Sequence, residues 1–208
     1  MKTLSDYHND LYTLLGDAFG RRYTAAVLNM ALEEALKTFG EYWPNKSSME
    51  TTVSGYEGPL AVLEEGPGAG TEILTVKRKT SGQWLPFAWY RGADQAYLGF
   101  YGNGPRPETG ETLILGLAEP HTIEGLNGET ETTVPDAYAG IVEKGAAAEA
   151  LRIRARSVTE VFGKRPEDTE HLTAQAEALD TAFFSALAGL AADEQMSRDP
   201  WPLSGFPI

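Results

Sequence analysis

Apolar positions in the first part of the chain recur at spacings of three and four, the period of a helix face. Leu4, Tyr7, Leu11, Leu14 and Leu15 share one such face and predict a short helix within 4–15. Thr24 is placed to cap a second, longer helix carrying Leu28, Leu32, Ala35, Leu36 and Phe39, with Gly40 at its end and Pro44 beyond. From Glu50 to Thr133 the period becomes two, and short strands alternate with turn residues. "TEILTVKRK" places Leu74 and Val76 on one face; "QWLPFAWYR" sends Leu85, Phe87 and Trp89 to one side, with Pro86 marking an edge or a bulge. The alternation continues through Tyr97 and Tyr101, then through Leu113, Leu115 and Leu117. The connectors "GPGAG" and "GNGPRPETG" are rich in Gly and Pro, as hairpin turns and loops require.

After Pro135 the helical period returns. Pro135 suits the first turn of a helix and Asp136 places negative charge at the positive end of its dipole. Gly163 and Pro166 separate two long helices. The second starts on Pro166, Glu167 and Asp168, and Leu172, Ala176, Leu179, Phe183, Ala186, Leu187 and Leu190 form its apolar stripe. The fold class is therefore α+β: N- and C-terminal helices close into a bundle, and an antiparallel β-sandwich or barrel is inserted between them. The expected divisions are 1–48 with 135–198 for the bundle, 49–134 for the β domain and 199–208 for an extended arm. No internal repeat is visible.

The first long helix of the second half is thin. Ile141, Gly145, Ala148, Leu151, Ala155, Val158 and Phe162 lie on one face, and Val142, Ala146, Ala150, Ile153 and Val161 on the next. A surface helix has one stripe about 100° wide, so this helix is covered from two directions. Either it is the central helix of its own bundle, or its second face meets another copy of the chain around Gly145 and Ala148.

Composition narrows the class. The chain has 208 residues, no Cys and a formal charge of −13. Without Cys there are no disulfides, thiolate nucleophiles or Cys-ligated zinc. No run of about 18 apolar residues is present to span a bilayer, and "MKTLSDYHND" lacks a signal-peptide core; the chain is expected to stay in the cytosol of the cell that makes it, with no membrane partner. Acids exceed bases by one in 1–49, by seven in 50–134 and by five in 135–208. Such a body does not gather nucleic acid by counterion release, which needs clustered Lys and Arg.

Catalytic constellations are weak. His8, His121 and His171 fall in different zones, HExxH, GxSxG and Walker spacings are missing, and neither a metal nor a cofactor is expected. Glu64 and Glu65 are adjacent on a strand and point to opposite faces, against a paired-carboxylate role. Of Arg152, Arg154 and Arg156, only Arg152 and Arg156 share a helix face, to grip a partner's acids or to stand in solvent. Trp84, Trp89, Tyr90, Tyr97 and Tyr101 offer either core packing or a stacking platform for sugar rings.

"ALEEALKTFGEYWP", "GETLILGLAEPH" and "TTVPDAYAGIVEKGAAAEALRIRA", in that order over residues 24–160, resemble the head-to-tail connector adaptor proteins of tailed bacteriophages. The resemblance implies a structural, non-enzymatic virion protein of the neck: a homo-oligomeric ring of about 12 copies that binds the portal on one side and the stopper or tail-completion protein on the other. Viral DNA would pass through it without sequence-specific binding, and an acidic wall suits a conduit. The β zone is larger and richer in aromatics than such adaptors usually carry. The final "DPWPLSGFPI" is too proline-rich for a helix and too apolar for an idle tail. It either folds back over its own helices or docks on a neighbour through Trp201, Leu203, Phe206 and Ile208, and connector adaptors commonly use such C-terminal arms.

Overall fold

The computed structural model describes residues 1–92, 95–102, 106–160 and 166–197. Among these, four α-helices and six strands follow the order α1 (Leu4–Leu14), α2 (Ala25–Tyr42), β1 (Asn45–Glu57), β2 (Leu60–Leu63), β3 (Glu72–Arg78), β4 (Phe87–Arg91), β5 (Ala96–Phe100), β6 (Thr112–Glu119), α3 (Asp136–Glu160) and α4 (Pro166–Ser197). The chain divides into a helical unit, 1–44 with 121–208, and a β unit, 45–120. The borders therefore fall four residues before 49 and fourteen before 134. Pro44 ends the first helical part, β1 starts directly after it, and 121–134 belongs with the helices. Val161, Phe162 and Gly163 and the arm 199–208 lie outside the described residues.

In the helical unit local chemistry sets the helix starts. Thr3 and Asp6 form a reciprocal capping box on α1, and the Thr24 hydroxyl accepts from the Val27 N–H on α2. The expected faces are the buried ones except at Leu14, which is exposed while Leu15 takes the last place on the α1 face: Tyr7 and Leu11 from α1, Leu28, Leu32 and Phe39 from α2, Phe183 and Leu187 from α4 pack in one core. α2 and α3 run antiparallel. Tyr138, early in α3, packs edge-on to Trp43 just past α2, while Arg154, late in α3, donates to the Arg22 carbonyl just before α2. Residues 121–133 are an irregular segment held by threonines: Thr132 Oγ1 donates to the Lys2 carbonyl, and Thr133 Oγ1 accepts from the Thr122 N–H.

In the β unit all pairings are antiparallel, in the order β3-β6-β1-β2-β5-β4. The sheet curls until its ends meet. Leu85 N–H donates to the Val76 carbonyl and Arg78 N–H to the Gln83 carbonyl, so the stretch leading into β4 pairs with β3. Pro86 stands at this seam, where the strand passes from one partner to the other. Leu113, Leu115 and Leu117 line the interior with Val53, Leu63, Val76, Leu85 and Leu98.

One expected face is corrected. Leu74 and Val76 do not point the same way: Ile73 and Val76 are buried and Leu74 is exposed. The register against β6 slips between Ile73 and Thr75, so a bulge at Leu74 inserts one residue and reverses the parity. β5 shows the opposite parity from its tyrosines: Ala96 and Leu98 are buried, which puts Tyr97 and Tyr101 on the outer face.

Candidate interaction surfaces

The thinness of α3 is answered inside the chain. α3 packs against both α2 and α4, and Ala146, Ala147, Ala148 and Ala150 are fully buried. At Gly145 a Cβ would stand 2.9 Å from Cζ of Phe183, so the glycine admits that ring. The two covering directions are its own neighbours, and Gly145 and Ala148 leave no surface there for another copy. Arg152, half-buried, ties α3 to α4: its guanidinium donates to Glu149 at 3.1 Å and pairs with Asp180. Arg156 is exposed. Trp201, Leu203, Phe206 and Ile208 lie outside the described residues.

The loop between α1 and α2 was not singled out by its sequence, "GDAFGRRYT". Asp17 is buried and its carboxylate accepts the backbone N–H groups of Arg21 at 3.1 Å, Arg22 at 2.7 Å and Tyr23 at 2.9 Å. Burial acts to raise its pKa, and the three donors outweigh it, holding the carboxyl below its ordinary value. Gly16 and Gly20, at φ of +62° and +59°, supply the left-handed turns. The result is a fixed loop whose tip, Phe19, is 82% exposed, with the Arg21 guanidinium 5.4 Å from its ring. A Gly-Asp pair followed by a second Gly was the available signal.

The outer wall of the barrel carries the second surface. Trp84, Tyr90 and Tyr101 are exposed, whereas Trp89 turns inward with Phe87 and packs on the core. Tyr90 faces Tyr97 across the strand pair, and Ala88 faces Gly99 beside them. A Cβ on Gly99 would stand 3.6 Å from Tyr90. Leu60 also closes over Gly99, 3.2 Å from where a Cβ would stand, and Lys77 covers part of Trp84 at 5.6 Å, so the exposed rings of this wall are partly occupied by the chain itself. The Tyr101 phenol is pushed up by desolvation and by a hydrogen bond to Tyr90.

Buried titratable groups serve structure. His121 Nε2 lies 2.7 Å from the Trp43 carbonyl, to which it donates, and Nδ1 lies 3.1 Å from Thr133 Oγ1. Thr133 Oγ1 already accepts from Thr122 N–H, so its proton is directed at Nδ1 and the ring is the neutral Nε2–H form. Desolvation lowers the His121 pKa against the hydrogen bond to the Trp43 carbonyl. Lys2 Nζ bridges Asp10 at 2.6 Å and Glu143 at 2.5 Å, and these pairs hold its pKa up although burial opposes them. Among the described residues no cluster of three His, Asp or Glu is placed to hold a metal, and no helix is long and apolar enough to cross a membrane. No family model matches the chain, and no curated protein matches it.

Proposed function

We propose that the chain is a structural subunit of a tailed-phage neck, an adaptor that assembles into a ring of about 12 copies between the portal and the stopper or tail-completion protein. In this role it works by assembly and not by catalysis, and its place is the virion. The observation that carries the reading is the architecture: a discontinuous helical bundle interrupted between α2 and α3 by a nearly closed antiparallel sheet. That order is the one the connector resemblance implies. A charge of −13 supports a channel subunit, because phosphates moving past a basic wall would bind and stall.

Light scattering and negative-stain imaging of the purified chain, alone and with portal, test the reading. A ring, or recruitment to portal, is expected; a monomer indifferent to portal overturns it. Free protein should not retain DNA in a gel shift at moderate salt, and tight salt-sensitive retention would contradict the conduit. Removing 199–208 should abolish attachment and leave the melting temperature of the remainder nearly unchanged if that segment is a docking arm. A large loss of stability with attachment intact favours the fold-back.

A second reading is favoured by the exposed Trp84, Tyr90 and Tyr101: a ligand-binding β module, for carbohydrate rings, on a helical scaffold. Titration of the full chain with soluble oligosaccharides, read by tryptophan fluorescence, separates the two. Saturable binding lost in Tyr90→Ala supports the module, and no binding supports the adaptor.

A further inference from the structure

The two loops that flank α2 carry opposite charge: arginines before it and glutamates after it. α2, 18 residues long and so about 27 Å from end to end, separates two different loops. At its N-terminal end stands the Asp17-braced loop with Phe19, Arg21 and Arg22, joined by Arg154, which donates to the Arg22 carbonyl at 3.1 Å and lies over the Tyr23 ring at 5.2 Å. Among the described residues no carboxylate forms an ion pair with these three arginines. At the C-terminal end His121 fastens segment 121–133 to the Trp43 carbonyl. This segment exposes Glu124, Glu129 and Glu131, which form no ion pair among the described residues; the nearby cations are spent, the Met1 amino group on Asp136 and Lys2 on Asp10 and Glu143.

We propose that the Phe19 loop of one copy docks on the 123–131 loop of the next, joining subunits head to tail. The inference rests on the adaptor reading for the presence of several copies, and it names the surfaces that join them. A knob braced by three backbone hydrogen bonds loses little freedom on docking. Its exposed aromatic ring is the kind of anchor that carries much of an interface, and Gly128, with open space where a Cβ would stand, leaves bare backbone on which such a ring can lie. The arginines supply register against the glutamates. A polyanion fits less well, because the chain as a whole carries a net charge of −13. Knob and acceptor lie at opposite ends of one unit, so the contact is heterologous: it propagates, and closes into a ring where the rotation permits.

The test uses three variants of the full chain: Phe19→Ser, Arg21→Glu with Arg22→Glu, and Glu124→Lys with Glu129→Lys and Glu131→Lys. All alter exposed side chains and keep the backbone donors to Asp17, and circular dichroism checks their fold. By light scattering, wild type should associate, each variant at least tenfold more weakly, and the two charge-reversed variants should associate again when mixed. Wild-type assembly that all three variants reproduce overturns this contact and leaves the ring reading standing. A wild type that stays monomeric alone and with portal overturns both. DNA retention by wild type that disappears in Arg21→Glu with Arg22→Glu would make a polyanion the occupant and also overturn the proposal.

Discussion

The far edge of the Phe183 ring rests on the bare backbone of Gly145, where a Cβ would stand 2.9 Å from Cζ and 3.0 Å from both Cε atoms. Helix propensity favours Gly145→Ala by about 1 kcal/mol, while overpacking a tight contact costs about 1–3 kcal/mol. We expect Gly145→Ala to lose about 1 kcal/mol net in urea unfolding, and Gly145→Leu considerably more. Adding Phe183→Leu to Gly145→Ala should recover part of the loss. Simple additivity of the two substitutions would show that the ring does not press on residue 145.

That contact shows which parts of the molecule were legible beforehand. Small residues on two faces of α3 required cover from two sides, but spacing alone does not say whose helices provide it. Faces of α2 and α4, and of α1 apart from the exposed Leu14, followed from their period because each element is regular. Leu74 did not, since a bulge adds a residue without leaving a Gly or Pro behind. Segment 121–133 was assigned to the strands because its order comes from threonine hydroxyls bonding to backbone, which no periodicity reports. The Phe19 loop was missed for a related reason: its rigidity depends on one carboxylate and three amides.

The bulge has its own dependence on a glycine. Thr75 follows it and is registered against Gly116 in β6, and a Cβ on Gly116 would collide with Thr75 Oγ1. Gly116→Ala should destabilise the β unit by about 1–3 kcal/mol, and Thr75→Ala in the same chain should restore most of it. The measurement is urea unfolding followed by tryptophan fluorescence, with Trp84 and Trp89 as reporters. A harmless Gly116→Ala would show that the bulge relaxes freely.

Tyr7 is fully buried, and its hydroxyl has no hydrogen-bond partner among the described residues. Burial, then the neighbouring Glu143, push its pKa up to about 12. Removing a buried hydroxyl that bonds nothing takes away a desolvation cost and leaves no group orphaned. Tyr7→Phe should therefore leave thermal stability unchanged or raise it by up to about 1 kcal/mol. A loss above that range would reveal a bond made by this hydroxyl.

His121 makes stability depend on pH in the mildly acidic range. Its folded pKa lies below 6.5, because burial disfavours the charged ring and the hydrogen bond to the Trp43 carbonyl does not fully offset it. The unfolded chain then binds the proton first as pH drops. This contribution to stability is intact above about 6.5 and is lost as the pH falls from there through the lower folded-state value. His121→Phe should flatten that part of the stability curve, and it removes the donor to the Trp43 carbonyl at a cost of about 1–3 kcal/mol. Denaturation midpoints between pH 7.5 and 5 would measure both effects, and an unchanged slope in the variant would refute the assignment.

Asp17 acts at lower pH and on one loop. Burial opposes its charge, but its three amide donors hold the folded pKa below 3.8, so its stabilising effect is present above that value and is lost as pH falls through the lower, folded one. Asp17→Asn keeps the size and replaces one accepting oxygen with an NH2 donor facing backbone N–H groups. The amides of Arg21, Arg22 and Tyr23 should then exchange with solvent at least tenfold faster near neutral pH, while amides in the middle of α2 and α3 keep most of their protection. Wild type should show the same local loosening only in strong acid. Because Phe19 is carried on this frame, Asp17→Asn should also weaken association of copies without touching any arginine. Slow exchange at all three amides in Asp17→Asn would mean that the loop is held by something other than this carboxylate.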